Sequence, residues 1–290
     1  MSNANKRTLE QRIVAKAEPT NFGARFREIV SDPLNLLIQR DYRAGLIDND
    51  GYVYLHNGNR VPPHGNAAYY GDFSKILEIN RGVHEPLEEF CFQETLKKIS
   101  DKNPAMIELG SYWAHYSMWF LKCFPDAECI MVEENEYAME IGRKNFENNG
   151  FNKGQFICKK VCPGSFELDE FSKENNINNV SILHCDIQGY EIYMLDAASH
   201  FLSQKIANYI FLSTHSQLIH ESSEATLESF GYRIEVSSDF DNHTTCFDGF
   251  ILASSPSAPQ VFEDFSPLGR NDIISASRTE LVSYLTDTLK

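Results

Sequence analysis

From Ala105 onward, short apolar runs alternate with segments of helical period five times in succession. That alternation restricts the chain to a mostly parallel sheet flanked by helices. The strands are expected at Ala105–Leu109, Cys129–Glu133, Gln155–Lys159, Val180–Cys185 and Ala207–Ser213. Helices are expected through Cys123, over Glu136–Asn148, over Phe166–Glu174, from Tyr190 to His200 and through Phe230. Asn149-Gly150 and Gly231 supply stop signals for two of them. Two further β-rich runs, Tyr232–Ser237 and Thr245–Ala253, have only Asp239, Asp241 and Asn242 to join them. With no helix between them they must pair as a hairpin, which puts an antiparallel strand into the sheet.

The first strand–helix unit carries the strongest local signal. Met106 to Leu109 is apolar but for Glu108; Gly110 follows, and then Trp113, Ser117, Phe120 and Leu121 fall at helical spacing. A glycine there lets backbone approach a ligand, and the first free N–H groups of the helix point toward it. The turn lacks the second glycine of a dinucleotide fingerprint. In an open α/β sheet, ligands sit beyond the carboxyl ends of the strands, where strand order reverses. The residues expected at that edge are Glu108, Gly110, Ser111, Tyr112 and Trp113 after strand one, and Glu133, Glu134 and Asn135 after strand two. Val161 and Cys162 follow strand three, Asp186 to Glu191 strand four, and Ser213 to Ser216 strand five.

Each of these has a structural reading beside the functional one. Glu133 can accept hydrogen bonds from both hydroxyls of an adenosine ribose, or it is a solvated strand-end acid. Asp186 can hold the cationic side of a cofactor or take a substrate proton, or it caps the next helix. His215 follows a buried run, where a histidine can act as base or simply pack; His220 stands one turn further on.

Composition narrows the partners. A net charge of −15 over 290 residues repels phosphate backbones, and no basic patch offsets it, so nucleic acid is not expected. The seven cysteines form no C-x-x-C pair and are read as reduced, mostly core residues. With no apolar leader and no run long enough to span a bilayer, a cytoplasmic location without membrane contact is expected. Upstream, residues 1 to about 20 are polar; Phe22 to Gln39 has helical spacing broken at Pro33, and Ile47 to Val61 reads as a hairpin. Helices are expected over Asp72 to Asn80 and Leu87 to Ile99, the latter with Phe90, Leu96 and Ile99 as its apolar side. The expected organisation is an N-terminal α+β extension over 1–80, a main domain over 81–255, and a tail over 256–290.

The order ELGSYWAHYSMWF, MVEEN with a helix ending NFENNG, ILHCDIQGYEIYMLDAA and FLSTHS resembles the FkbM-type family of class I S-adenosylmethionine (SAM) methyltransferases over about residues 80–253. The resemblance implies a Rossmann-like seven-stranded sheet with a C-terminal antiparallel hairpin and helices on both faces. It implies SAM as methyl donor and a hydroxyl of a sugar or natural-product-like small molecule as acceptor. Carried over by position, Glu108, Gly110, Ser111, Tyr112 and Trp113 line the cofactor with Glu134, Asn135 and Cys162. Glu133 holds the ribose, Asp186, Gln188 and Glu191 fill the acidic strand-four position, and Glu85 sits in a segment that closes over the cofactor. His215 or Asp186 is the expected base. Three positions depart from the family pattern: Ala114 for a second glycine, Glu134 for a proline, and Gln188 for an acid. The last argues against a two-carboxylate metal site; a divalent ion on Asp186, His215 and Asp241 is a secondary variant. The rival readings are a nicotinamide-dependent Rossmann oxidoreductase and a SAM-binding protein without turnover. Self-association is left open.

Overall fold

The computed structural model describes residues 21–241, 245 and 247–289. The expectations for residues 1–20, Asn242 and Cys246 lie outside the described residues. Among the described residues, nine strands and eleven helices follow in order, with short 3-10 turns at Pro33–Leu36 and Gly71–Lys75. β1 (Val53–Tyr54) and β2 (Arg60–Val61) form a small antiparallel hairpin after helix α1 (Phe22–Ser31). Helices α2 (Ile76–Ile79) and α3 (Pro86–Leu96) lead into the main sheet.

That sheet has seven strands in the order β5-β4-β3-β6-β7-β9-β8. They are β3 (Ala105–Leu109), β4 (Glu128–Glu133), β5 (Gln155–Cys158), β6 (Val180–Cys185), β7 (Ala207–Thr214), β8 (Arg233–Ser238) and β9 (Gly249–Ser254). β9 inserts between β7 and β8 and pairs antiparallel with both, while the remaining contacts among β3 to β7 are parallel. The chain builds outward from β3 to β5, then returns to build from β6 the other way, so strand order reverses between β3 and β6. The expected α/β class and terminal hairpin are thus the observed ones. β6 is buried at all six positions, which is why Val-Ser-Ile-Leu-His-Cys reads as a nearly continuous apolar run rather than an alternating one.

The period-2 alternation splits the core in two. Ile107, Leu109, Leu183, Cys185, Ile210 and Leu212 point to one face. There they pack with α7 (Glu191–Asp196), α8 (Ser199–Ser203) and Leu227 of α9 (Gln217–Ser229). The single helix expected from Tyr190 to His200 is broken into α7 and α8. Its second half has its own cap: the Asp169 carboxylate, on α6 (Leu168–Glu174), accepts from the backbone N–H groups of His200 and Phe201 at 2.8 and 2.7 Å.

Met106, Met131, Ile182, Tyr209 and Phe211 point to the opposite face, where α3 and α4 (His115–Cys123) pack. The same cluster takes in Ile29, Leu34, Val53, Leu55 and Phe73 from the N-terminal segment and Ala258, Val261 and Phe262 from the C-terminal one. Phe262 stacks on Phe90 with centroids 5.8 Å apart, and the Tyr209 hydroxyl donates to the Pro259 carbonyl at 2.8 Å. The expected boundaries at 80/81 and 255/256 therefore cross one continuous apolar core. The chain closes with α5 (Glu136–Asn148) on the β4–β5 side, then α10 (Arg270–Ser275) and α11 (Arg278–Thr288) at its end. Among the described residues no helix is long and apolar enough to cross a membrane.

Candidate active site

At the carboxyl ends of β3, β4 and β6 the backbone closes tightly. Gly110 has φ +76°, and a Cβ built there would stand 1.7 Å from the Asp186 carbonyl oxygen, so no other residue fits between the two strand ends. The N–H groups of Gly110 and Ser111 both donate to the Val132 carbonyl, at 2.8 and 3.0 Å. Tyr112 and Ala114 also adopt left-handed backbone, φ +41° and +62°. Non-glycine residues hold that conformation at a cost of about 1–2 kcal/mol each, so the loop departs from the glycine-rich pattern in sequence while keeping its backbone shape.

A small cleft of about 70 Å³ opens here, lined by Gly110, Glu133, Glu134, Asp186 and Gln188. Lys159, Lys160, Val161 and Tyr190 complete its walls. Glu133 is locked in place: Oε2 accepts from the Tyr112 N–H at 3.0 Å and Oε1 from the Asn135 N–H at 2.9 Å. A carboxylate has about four acceptor directions, so both oxygens retain one for a ligand hydroxyl. Lys160 is 3.5 Å from Glu134 and lies 4.0 Å from the centre of the Tyr190 ring.

Other expected contact residues have different work. Glu108 is buried behind the loop and accepts from the Ser117 N–H at 3.1 Å; burial pushes its carboxyl up, with His184 and Ser117 opposing. It anchors the start of α4 and does not line the cleft. Asn135 spends its side-chain oxygen capping α5, accepting from the Tyr137 and Ala138 N–H groups. Trp113 is buried, stacked on Tyr69 with centroids 4.6 Å apart. Cys162 is half-buried and bridged to Phe166, and its neighbour Val161 lines the cleft instead. Tyr112 carries the rim through its N–H rather than its ring. Ser111 is buried with its Oγ unpartnered among the described residues. His220 lies away from the cleft, bridging Thr214 and Ser237 at 2.9 Å each.

Asp186 and His215 do meet. His215 Nδ1 stands 2.7 Å from Glu191 Oε1, and Nε2 3.3 Å from Asp186 Oδ1 and 3.9 Å from Asp248. Burial alone would lower the imidazole's pKa, but the Asp186 and Glu191 carboxylates outweigh it and push it up to about 10. At about 10 the imidazole keeps its proton at neutral pH, which weighs against His215 as the base expected there. Asp248, not Asp241, is the third acid beside it. Glu191 is fully buried and also accepts from the Gly189 N–H at 2.9 Å, so it is a support for His215 and the turn.

Behind this rim lies a polar cluster that the sequence reading missed. Glu88 and Glu89, in the first turn of α3, are 6% and 0% exposed. Glu88 holds His184 at 2.6 Å and accepts from the Ser213 hydroxyl at 3.3 Å. Glu89 lies 2.6 Å from His84 Nδ1, 3.1 Å from His56 Nε2 and 3.9 Å from His115 Nε2. Burial pushes the Glu89 carboxyl up, but His84 and His56 outweigh it and bring it to about 2, so it is ionised. Burial takes His56 down to about 4 and His115 well below the usual range, leaving both neutral. Glu85 connects cluster and rim. It accepts from the Tyr116 hydroxyl at 3.1 Å, and its side chain is 36% exposed. Burial raises its carboxyl, with His84 opposing and Glu88 and Asp186 adding to the rise. The available signal was α3 itself: Pro86-Leu87-Glu88-Glu89-Phe90-Cys91-Phe92 has no consistent polar face, so its acids had nowhere exposed to go.

No protein-family model and no curated protein matches the chain. Solved structures with a similar fold include a precorrin-6y C5,15-methyltransferase from Geobacter metallireducens GS-15, with a TM-score of 0.42 and 15% identity over 57% of this chain and 87% of that one. Another is TrmK of M. capricolum in complex with the cofactor product S-adenosyl-homocysteine, with a TM-score of 0.40 and 17% identity over 68% and 81%. A third is a SAM-dependent methyltransferase from Agrobacterium tumefaciens, with a TM-score of 0.42 and 15% identity over 61% and 64%. The Rossmann-like α/β sheet with its C-terminal antiparallel hairpin is read from the chain's own strand order and pairing.

Proposed function

We propose that the chain is a SAM-dependent methyltransferase of FkbM type that methylates a hydroxyl of a sugar or natural-product-like small molecule. The observation that carries this is the convergence of Gly110, Glu133 and Asp186 on one cleft at the point where strand order reverses. The cleft suits a cationic adenosyl ligand. Glu133 keeps acceptor capacity on both oxygens beside a glycine turn, and Glu134 and Asp186 add negative charge, with Lys160 already engaged by Glu134.

When bound, SAM supplies a methyl group activated by its sulfonium. Glu133 holds the ribose, and the Gly110–Tyr112 backbone fixes the near wall. Asp186 is the base: the Gln188 amide and the His215 cation both contact Oδ1, which leaves Oδ2 to receive the acceptor's hydroxyl proton. His215 orients that carboxylate, a positioning role. Glu85, between Tyr116 and the rim, closes the cofactor side. Much of the acceleration comes from alignment of acceptor and methyl.

The test is release of S-adenosylhomocysteine with a panel of hydroxylated acceptors. Asp186→Asn is expected to lower kcat by roughly 10²–10⁴-fold while leaving SAM affinity within a fewfold. His215→Gln is expected to lower it less, because the base remains. Equal loss from both variants, or product with no acceptor dependence, would contradict these assignments.

A further inference from the structure

Two buried histidines whose ring nitrogens make no hydrogen bond, beside a carboxylate oxygen that makes none, are the least explained feature among the described residues. His56, Glu89 and His115 each offer a donor atom, all within 4.8 Å of one another, and all three residues are buried. His56 Nδ1 and Nε2, His115 Nδ1 and Nε2 and Glu89 Oε2 make no hydrogen bond among the described residues. His56 Nε2 stands 3.1 Å from Glu89 Oε2 without forming one, so the two meet off the N–H axis. Orphaned polar atoms at full burial are rare, and when they converge on one point they call for an ion or a water. We infer that His56, Glu89 and His115 bind a divalent first-row transition ion, zinc being the leading candidate.

The chemistry of the donor set fits. Two imidazoles and one carboxylate make a set common to zinc and non-haem iron sites, with positions left for water. Tetrahedral zinc at about 2.0–2.2 Å from each donor places donors roughly 3.4 Å apart. His56 Nε2 stands 3.1 Å from Glu89 Oε2 and His115 Nε2 3.9 Å from Oε1, so the imidazoles approach the two oxygens of one carboxylate and must draw together on an ion. Supporting groups are present. His84 lies 2.6 Å from the carboxylate oxygen nearer His115, and the backbone N–H of His84 donates to the same oxygen at 3.0 Å. Such outer contacts orient a ligating carboxylate. The Trp119 ring stands edge-on to His56 at 4.4 Å, and Trp113 stacks on His115 at 5.2 Å, fixing both imidazole planes. Access exists from the far side: His56 lines a surface cavity of about 480 Å³ together with Arg40 and Trp119.

The three donors come from three elements. His56 stands in the hairpin loop, Glu89 in the first turn of α3 and His115 at the first position of α4. The ion would tie the N-terminal segment to the helix that follows the cofactor turn, so it is a structural clamp behind the cleft. This site is distinct from the rim and does not rest on the methyltransferase reading.

The full-length chain, loaded with zinc sulfate and passed over a desalting column, is expected to retain one ion per chain by elemental analysis. The cobalt-loaded form should show visible d–d bands, and zinc should raise the melting temperature. His56→Gln and His115→Gln are each expected to cut retained metal at least tenfold, while His215→Gln keeps it. Less than a tenth of an equivalent on the wild type would overturn the proposal, as would metal kept by both cluster variants and lost from His215→Gln. If a cluster variant fails to fold, X-ray absorption of the wild-type zinc form decides. Two imidazoles with oxygen support the site; sulfur ligation, or no imidazole, refutes it.

Discussion

Asp186 and His215 stand side by side at the rim, and their contact bears on which of them can take a proton. Both positions were legible, because each follows an apolar run that had to be a strand, and the strands' carboxyl ends had to share one edge. The protonation state of His215 was not. It depends on Glu191, 24 residues upstream, turning back under the ring at 2.7 Å, and no spacing in the chain announces that contact. The consequence can be measured. An imidazole raised from its ordinary value to about 10 contributes stability that is fully present below about pH 6.5 and is lost as pH rises through about 10. The wild-type melting temperature is therefore expected to fall between pH 7 and 10 by more than that of His215→Gln. Parallel curves for the two would show that His215 carries no such charge.

At the scale of elements, the helix and strand bounds were read closely, since period and stop signals are local. α5 runs over the expected Glu136–Asn148, and β6 over the expected Val180–Cys185. α3 is the failure. Phe90 and Leu96 were named as one apolar side, yet Pro86 through Gln93 are all buried. A helix covered all round presents no stripe, and its glutamates look like a solvated face until the histidines that hold them arrive from elsewhere in the chain. The metal ligands proposed above were illegible for the same reason. They sit at positions 56, 89 and 115, brought together by packing and not by a motif. The β3–α4 turn was legible at Gly110 and is the most demanding junction. Gly110→Ala puts a methyl group against the Asp186 carbonyl and forces φ +76° on a residue with a Cβ. The left-handed backbone alone costs about 1–2 kcal/mol, so a loss of at least about 2 kcal/mol in urea unfolding is expected, together with loss of cofactor binding. A variant as stable as wild type would mean that the two strand ends can separate freely.

For the molecule as a whole, the alternation from Ala105 was enough to predict the sheet and its antiparallel insertion. The surroundings were less readable. The segment after 255 has a Ser-, Pro- and Asp-rich start, yet Val261 and Phe262 bury against α3, and Arg270 pairs with Glu28 of α1. Apolar residues spaced among prolines and serines show no period, so their burial could not be inferred. This wrapping matters for function, because the segments before 80 and after 255 both brace α3, which carries Glu88 and Glu89 and stands directly behind the rim. The central claim is that the reversal of strand order gathers Gly110, Glu133 and Asp186 into a cleft for an adenosyl methyl donor. Calorimetric titration of the full chain with S-adenosylhomocysteine, and separately with NAD, tests it most directly. The account predicts one saturable site for S-adenosylhomocysteine, none for NAD, and an affinity about 10-fold or more weaker in Glu133→Ala, the loss expected for removing charged hydrogen bonds of about 1.5–3 kcal/mol. Saturable binding of NAD with none of S-adenosylhomocysteine, or affinity unchanged by Glu133→Ala, would contradict it.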